Sequence, residues 1–432
     1  RNLVSQWQSR LPEILASSDE VLVAAMREIM EPANLLFTHH LDITGQAGGA
    51  VQLLSTICEE RLDDRSIALT LLGGLGDVDS AEPSFVLWEL GRMVAQNSEL
   101  SSLFNAGLPD LESRLRNSDA AKEFMDKFDH FLETFGSRGP NEWETACETW
   151  GTNPPSVLTL IDRMRLTDAH NSPKVRALEL SKKRETATLD ARKELKGFGS
   201  WLFEKALHSS ILFSQARERS KTTIVDLIHV ARLITRELAN RTAEQRKNAE
   251  LIDLWFILES ELDEFIDNPS AFDAKISERK RVRGELSTRI PPFIFEGKIP
   301  DPSTWPLRSA VKANNSQHAK EGQILKGFGG CPGVAEGIAK IITDPSDPQD
   351  LGPGDILIAP LTDPSWTPLF VPAEAVVVNV GGQMSHAVIV SRELGMPCVV
   401  AVKDATDIIK DGTRIRVDGA TGEVTILETP QS

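Results

Sequence analysis

Through the first 290 residues apolar positions recur mostly at spacings of three and four, which predicts helix after helix. Residues 223–238 set Ile224, Leu227, Ile228, Ala231, Leu233 and Ile234 in this period, and residues 176–194 are rich in strong helix formers. Pro and Gly gather in breaks at 73–83, 136–140 and 151–155, and no fixed-period repeat is present, so an irregular helical bundle is expected over 1–290. From 291 to 323 the apolar period is lost in a stretch rich in Pro, Asn, Ser and Lys, which reads as a linker or hinge. After it, β-branched runs at 338–342, 355–359, 375–380, 398–402, 413–417 and 423–427 predict strands, and 385–394 predicts the only helix among them. The expected fold class is therefore multidomain: a mostly α-helical N-terminal domain followed by a small α/β domain over 324–432.

Charge and composition narrow the function classes. The net charge of −16 leaves no basic excess for nucleic acid. Residues 321–432 hold 7 Lys/Arg against 15 Asp/Glu, so half of that charge lies in the last quarter of the chain. No apolar run is long enough to span a membrane, and no signal-peptide pattern opens the sequence. Cys58, Cys147, Cys331 and Cys398 are scattered without a Cys-x-x-Cys pair, which suits a cytoplasmic protein with reduced thiols. Tyrosine is absent altogether, for which we have no physical account.

One constellation carries chemistry. A buried strand runs into Gly381-Gly382-Gln383-Met384-Ser385-His386, after which Ala387 to Leu394 read as a helix closed by Gly395. Ser385 is expected to cap that helix, and His386 then lies near the unpaired N–H groups and the positive end of its dipole, a ready site for a phosphoryl group. The two glycines remove bulk where a second active site would have to approach. Gly73-Gly74-Leu75-Gly76 lacks the strand, Lys and Ser/Thr of a phosphate loop and reads as a helix–helix connection. His39-His40 lies on two different helix faces without a carboxylate motif, so no metal site is expected there.

The segment around His386 resembles the mobile phosphohistidine domain of the phosphoenolpyruvate-utilising enzymes. The likeness extends through Cys331-Pro332-Gly333-Val334-Ala335-Glu336-Gly337, Gly354-Asp355-Ile356-Leu357 and Thr362-Asp363-Pro364-Ser365-Trp366-Thr367-Pro368-Leu369-Phe370. Helical domain, linker and C-terminal swivel, with no barrel after it, is an order similar to that of rifampicin phosphotransferase. Gly136-Ser137-Arg138-Gly139-Pro140 resembles the Gly-x-Arg-Gly-Pro turn of that branch, and Arg217-Glu218-Arg219-Ser220-Lys221 its Arg-Glu-x-x-Lys segment.

The resemblance implies a phosphoryl carrier at His386 that shuttles between an ATP site and an acceptor site. Arg217 and Lys221, four residues apart, are implied on one helix face against the transferring group, with Glu218 pointing elsewhere but able to act as acid or base. Arg138 and Glu142 are implied in acceptor binding. A small-molecule acceptor, ATP and Mg2+ are the expected partners, the last two at an ATP-grasp domain in cis or in trans, since nothing in 1–290 resembles one; Arg1 in place of Met is read as a sign of a longer polypeptide. AMP and phosphate are the implied by-products. A reading of another class stays open: the helical domain as an assembly or regulatory module, and the swivel as a phosphorylation-dependent switch without an acceptor.

Overall fold

In the computed structural model the two hydrophobic periods become what they predict, a helical N-terminal region and a C-terminal sheet with helices. The structure describes residues 2–430 except 77, 169–171, 293, 311–317, 346 and 348. Parts of the predicted linker, 293 and 311–317, thus lie outside the described residues. The chain packs as two compact units: Arg1–Leu36, Trp143–Ala146 and Thr223–His318, and Phe37–Glu142, Cys147–Thr222 and Ala319–Ser432. Helices Asp19–Leu62 and Gly197–Glu244 supply residues to both.

The first unit buries Trp7, Leu22, Ile29, Leu227, Ile234, Phe265 and Phe272 in one core. Trp255 Nε1 donates to Thr145 Oγ1 at 2.9 Å, which gives its polar edge a partner. The beginning of the predicted linker folds back here: Ile290 N–H donates to the Pro306 carbonyl and Arg308 N–H to the Thr288 carbonyl, each at 2.9 Å. Side-chain bonds from Arg289 to the carbonyls of Ser303 and Trp305 close the same loop, a long-range contact that composition does not reveal.

The second unit holds an eight-stranded mixed sheet: β1 Ile324–Lys326, β2 Phe328–Cys331, β3 Val334–Ile341, β4 Asp355–Ala359, β5 Ala375–Val378, β6 Cys398–Val400, β7 Arg414–Asp418 and β8 Glu423–Glu428. Their order is β1-β8-β7-β3-β4-β5-β6-β2, with β3 to β6 parallel. Six of these are the predicted runs. β1 is too short, and β2 too short and Gly-rich, to show alternation; pairing with β8 and β6 recruits them to the edges. Short helical turns at Pro364–Trp366, Thr367–Phe370 and Ala405–Ile408 correct the expectation of a single helix, since three or four residues show no period.

The central strands are buried on both faces, as in a parallel sheet covered on each side. Ile356, Ile358 and Val377 turn toward Val402, Ile409 and Ile415. Leu357, Val376 and Val378 turn the other way, into a core shared with Val388 and Phe370 and with Leu87, Trp150 and Ile161 of the helical segment. One apolar core is therefore continuous from the sheet to these helices of the same unit. Among the described residues, no helix is long and apolar enough to cross a membrane.

Candidate active site

β5 delivers the chain to the double glycine and the helix His386–Leu394 begins at once. Ser385 occupies the N-cap position with extended backbone, but its hydroxyl makes no capping bond, which corrects that part of the expectation. Gly395 closes the helix at φ +71°, its N–H bonded to the Ser391 carbonyl. The glycines differ in purpose. A Cβ at Gly381 would sit 3.0 Å from Val400 Cβ, whereas one at Gly382 would meet nothing within 4 Å, so only Gly382 leaves open approach.

Two threonines hold the His386 ring. Thr362 Oγ1 lies 3.0 Å from Nδ1 and Thr367 Oγ1 3.0 Å from Nε2, while Phe370 packs edge-on at 6.0 Å between centroids. Thr367 also donates to the Ser80 carbonyl at 3.2 Å, so the residue that pins the ring is itself pinned to the helical segment. Asp363 adds a second tie, accepting from Asn141 N–H at 3.0 Å. Burial, and after it the charges of Lys221, Arg138 and Arg217, push the imidazole well below its ordinary pKa of 6.5, leaving a neutral ring beside three cations.

Those cations form a paired network. Arg138 Nη1 contacts Glu142 Oε1 at 3.1 Å and Nη2 donates to Thr222 Oγ1 at 2.7 Å; Lys221 Nζ reaches the same Glu142 oxygen at 2.9 Å. Glu142 is fully buried, so two cations around one carboxylate offset its desolvation. The Gly-x-Arg-Gly-Pro turn is built to place them, because a Cβ at Gly139 would sit 2.7 Å from Thr149 Cα.

Glu218 is 4% exposed and does not point elsewhere, as the ideal-helix reading expected: it pairs with its neighbour Arg217 and accepts from Ser80 Oγ at 2.5 Å. Burial alone would raise its pKa, but Arg217, Lys221, the Ser80 hydroxyl and Arg138 outweigh it and hold the carboxylate ionised. The structure thus brings Arg138, Glu142, Arg217, Glu218, Lys221 and His386 into one neighbourhood.

Four further residues escaped the sequence reading. Ser80, Thr362 and Thr367 act through single hydroxyls, although the two threonines lie inside the quoted motif. His40 joins the cluster through Nδ1, 2.8 Å from Ser220 Oγ, and burial with Arg217 lowers its pKa. Among the described residues no group of three or more His, Cys, Asp and Glu is placed to hold a metal ion. A cavity of about 20 Å³ lies between Leu72, Leu75, Val78, Glu218, Met384 and Ile389, room for about one water.

Two segments of the chain match known protein families. Residues 351–422 match the PEP-utilising enzyme mobile domain, and residues 39–218 match the rifampicin phosphotransferase fourth domain. Residues 351–422 thus form a PEP-utilising enzyme mobile domain. Rifampicin phosphotransferase of Bacillus subtilis is 30% identical over 99% of this chain and 49% of its own length. The prodigiosin synthesizing transferase PigC of Serratia marcescens is 28% identical over 86% of this chain and 42% of its own, and the uncharacterized phosphotransferase YvkC of Bacillus subtilis 25% over 81% and 42%. The chain spans less than half the length of these three relatives.

Proposed function

We propose that this chain is the carrier and acceptor part of a dikinase-type phosphotransferase, with His386 as the carrier. The observation that supports it most is a neutral, threonine-held imidazole beside Arg138, Arg217 and Lys221. In the first half-reaction a ring nitrogen attacks the β-phosphorus of ATP, bound with Mg2+ at a site outside this chain; the bond to AMP breaks, and water takes the terminal phosphoryl group as phosphate. A hinge within 291–323 then returns the carrier to the helical segment. There an acceptor hydroxyl attacks phosphorus, the O–P bond forms, and the N–P bond breaks with its electron pair returning to the ring. Arg217 and Lys221 stabilise the charge on the transferring group, and Glu218, held ionised, takes the hydroxyl proton. Arg138 and Glu142 hold the acceptor side in shape. The names of two relatives, rifampicin phosphotransferase and prodigiosin synthesizing transferase, support a small-molecule acceptor.

The test is intact-mass spectrometry of the full-length polypeptide with ATP, Mg2+ and candidate acceptors. An acid-labile phosphate on His386 that disappears when acceptor is added supports the reading. Phosphate on another histidine, or turnover surviving in His386→Ala, overturns it. A second reading has two observations in its favour: the cavity beside Glu218 holds only about one water, and the carrier shares its core with the helical segment. On that reading phosphorylation releases a docked switch, and His386 phosphate persists with every acceptor offered.

A further inference from the structure

The helix that starts at His386 ends in an unusual way. Glu393 stands in its last turn, where the dipole disfavours a carboxylate, and it is only 4% exposed. A buried carboxylate needs partners, and those described for it lie on the helical segment. Leu75 N–H donates to Oε1 and Gly76 N–H to Oε2, both at 3.0 Å, and Gly74 N–H donates to the Arg392 carbonyl at 2.9 Å. The Gly73–Gly76 stretch does join two helices, as its sequence suggests, but its three successive N–H groups also grip the far end of the carrier helix.

The loop is made rigid for this. Gly74 and Gly76 adopt φ +55° and +66°, and a Cβ at Gly74 would lie 2.8 Å from both Leu180 Cβ and Ser181 N. Arg184 Nη1 donates to the carbonyls of Gly73 and Gly74, the former at 3.1 Å. Gln215 Nε2 donates to the Gly76 carbonyl at 3.2 Å, which ties the loop to the helix bearing Arg217. One backbone segment thus joins the end of the His386 helix to the helix that carries the cation cluster.

We propose that Glu393 and the 73–76 loop are a docking latch, in which Glu393 is a positioning residue that sets how long His386 stays at the Arg138, Arg217 and Lys221 cluster. Its consequence for transfer rests on the carrier reading above; its geometry does not. Glu393→Gln keeps the volume and one acceptor oxygen but loses the charge that both N–H groups address. Arg184→Met leaves Glu393 intact and unbraces the loop, so the two variants weaken the latch from opposite sides.

The experiment is the rate of diethylpyrocarbonate acylation of His386, read by peptide mass spectrometry against His130, whose side chain is 78% exposed and serves as an internal reference. The ratio is expected to rise about tenfold in Glu393→Gln, the loss of roughly one charge-assisted hydrogen bond, and to rise less in Arg184→Met. The buried thiols of Cys331 and Cys398 should stay silent to maleimide in both variants, which separates release of the latch from unfolding. Should Glu393→Gln expose those thiols, Arg184→Met decides. A His386 ratio unchanged in folded variants overturns the latch. In the full-length polypeptide, transfer to acceptor is expected to slow while ATP-dependent phosphorylation of His386 is kept or quickened. Failure of the wild-type protein to phosphorylate His386 would overturn the carrier reading and leave the acylation result standing.

Discussion

Replacing Lys221 by methionine separates two roles that the geometry superimposes. Lys221 Nζ lies 2.9 Å from Glu142 Oε1, and the two side chains are 12% and 0% exposed. Removing one partner of a buried pair costs about 3–5 kcal/mol when the other charge is left uncompensated. Here Arg138 remains on Glu142 at 3.1 Å, so the lower end, about 3 kcal/mol, is expected. Urea unfolding of the variant should show that loss as a lower midpoint with an unchanged slope. Transfer from phosphorylated His386 to acceptor should fall by about 10²–10³, the loss typical of one electrostatic contact to a developing charge, while phosphorylation of His386 by ATP is kept. Adding Glu142→Gln removes the carboxylate that Lys221 helped to neutralise and leaves Arg138 an amide oxygen and Thr222 as partners. The double variant should recover part of the stability and none of the transfer. If transfer returns with stability, Lys221 serves only to neutralise Glu142, and its assignment to the phosphoryl group is refuted.

Three further outcomes follow from the packing. Because burial and the Lys221, Arg138 and Arg217 charges lower the His386 pKa, any state in which the ring is released binds protons more readily than the docked state. The docked arrangement should be fully stable above pH 6.5 and weaken as pH falls below it, by at most about 1.4 kcal/mol per unit, and an imidazole NMR midpoint at 6.5 would contradict the burial described here. Gly91→Ala should destabilise by about 1–3 kcal/mol, since its Cβ would lie 2.6 Å from Met164 Cβ where helices Glu82–Gln96 and Pro154–Leu166 meet. Gly49→Ala, with nothing within 4 Å in the middle of Asp19–Leu62, should instead stabilise by about 0.5–1 kcal/mol, and equal denaturation midpoints for the two variants would count against that helix contact.

Much of the fold was already legible in the order of residues, because the information is local. A three-to-four spacing can satisfy a core only as a helix, and β-branched runs between turn residues only as strands, so the helical region, six strands and the His386 helix could be placed in advance. His386 could be singled out as the candidate carrier for the same reason, since strand, double glycine and helix start are neighbours in the chain. Tertiary structure decided what depends on distance in sequence. Thr362 and Thr367 reach His386 from 24 and 19 residues away, Ser80 reaches Glu218 across 138, and the loop at Leu75 finds Glu393 across 318. An ideal helix turns Glu218 away from Arg217 and Lys221, yet a buried carboxylate bends toward whatever cations and hydroxyls the fold supplies, because leaving it unpaired costs more than the bend. Single hydroxyls and backbone N–H groups have no periodicity and no charge to betray them; they acquire a role only when packing brings a buried acceptor within 3 Å.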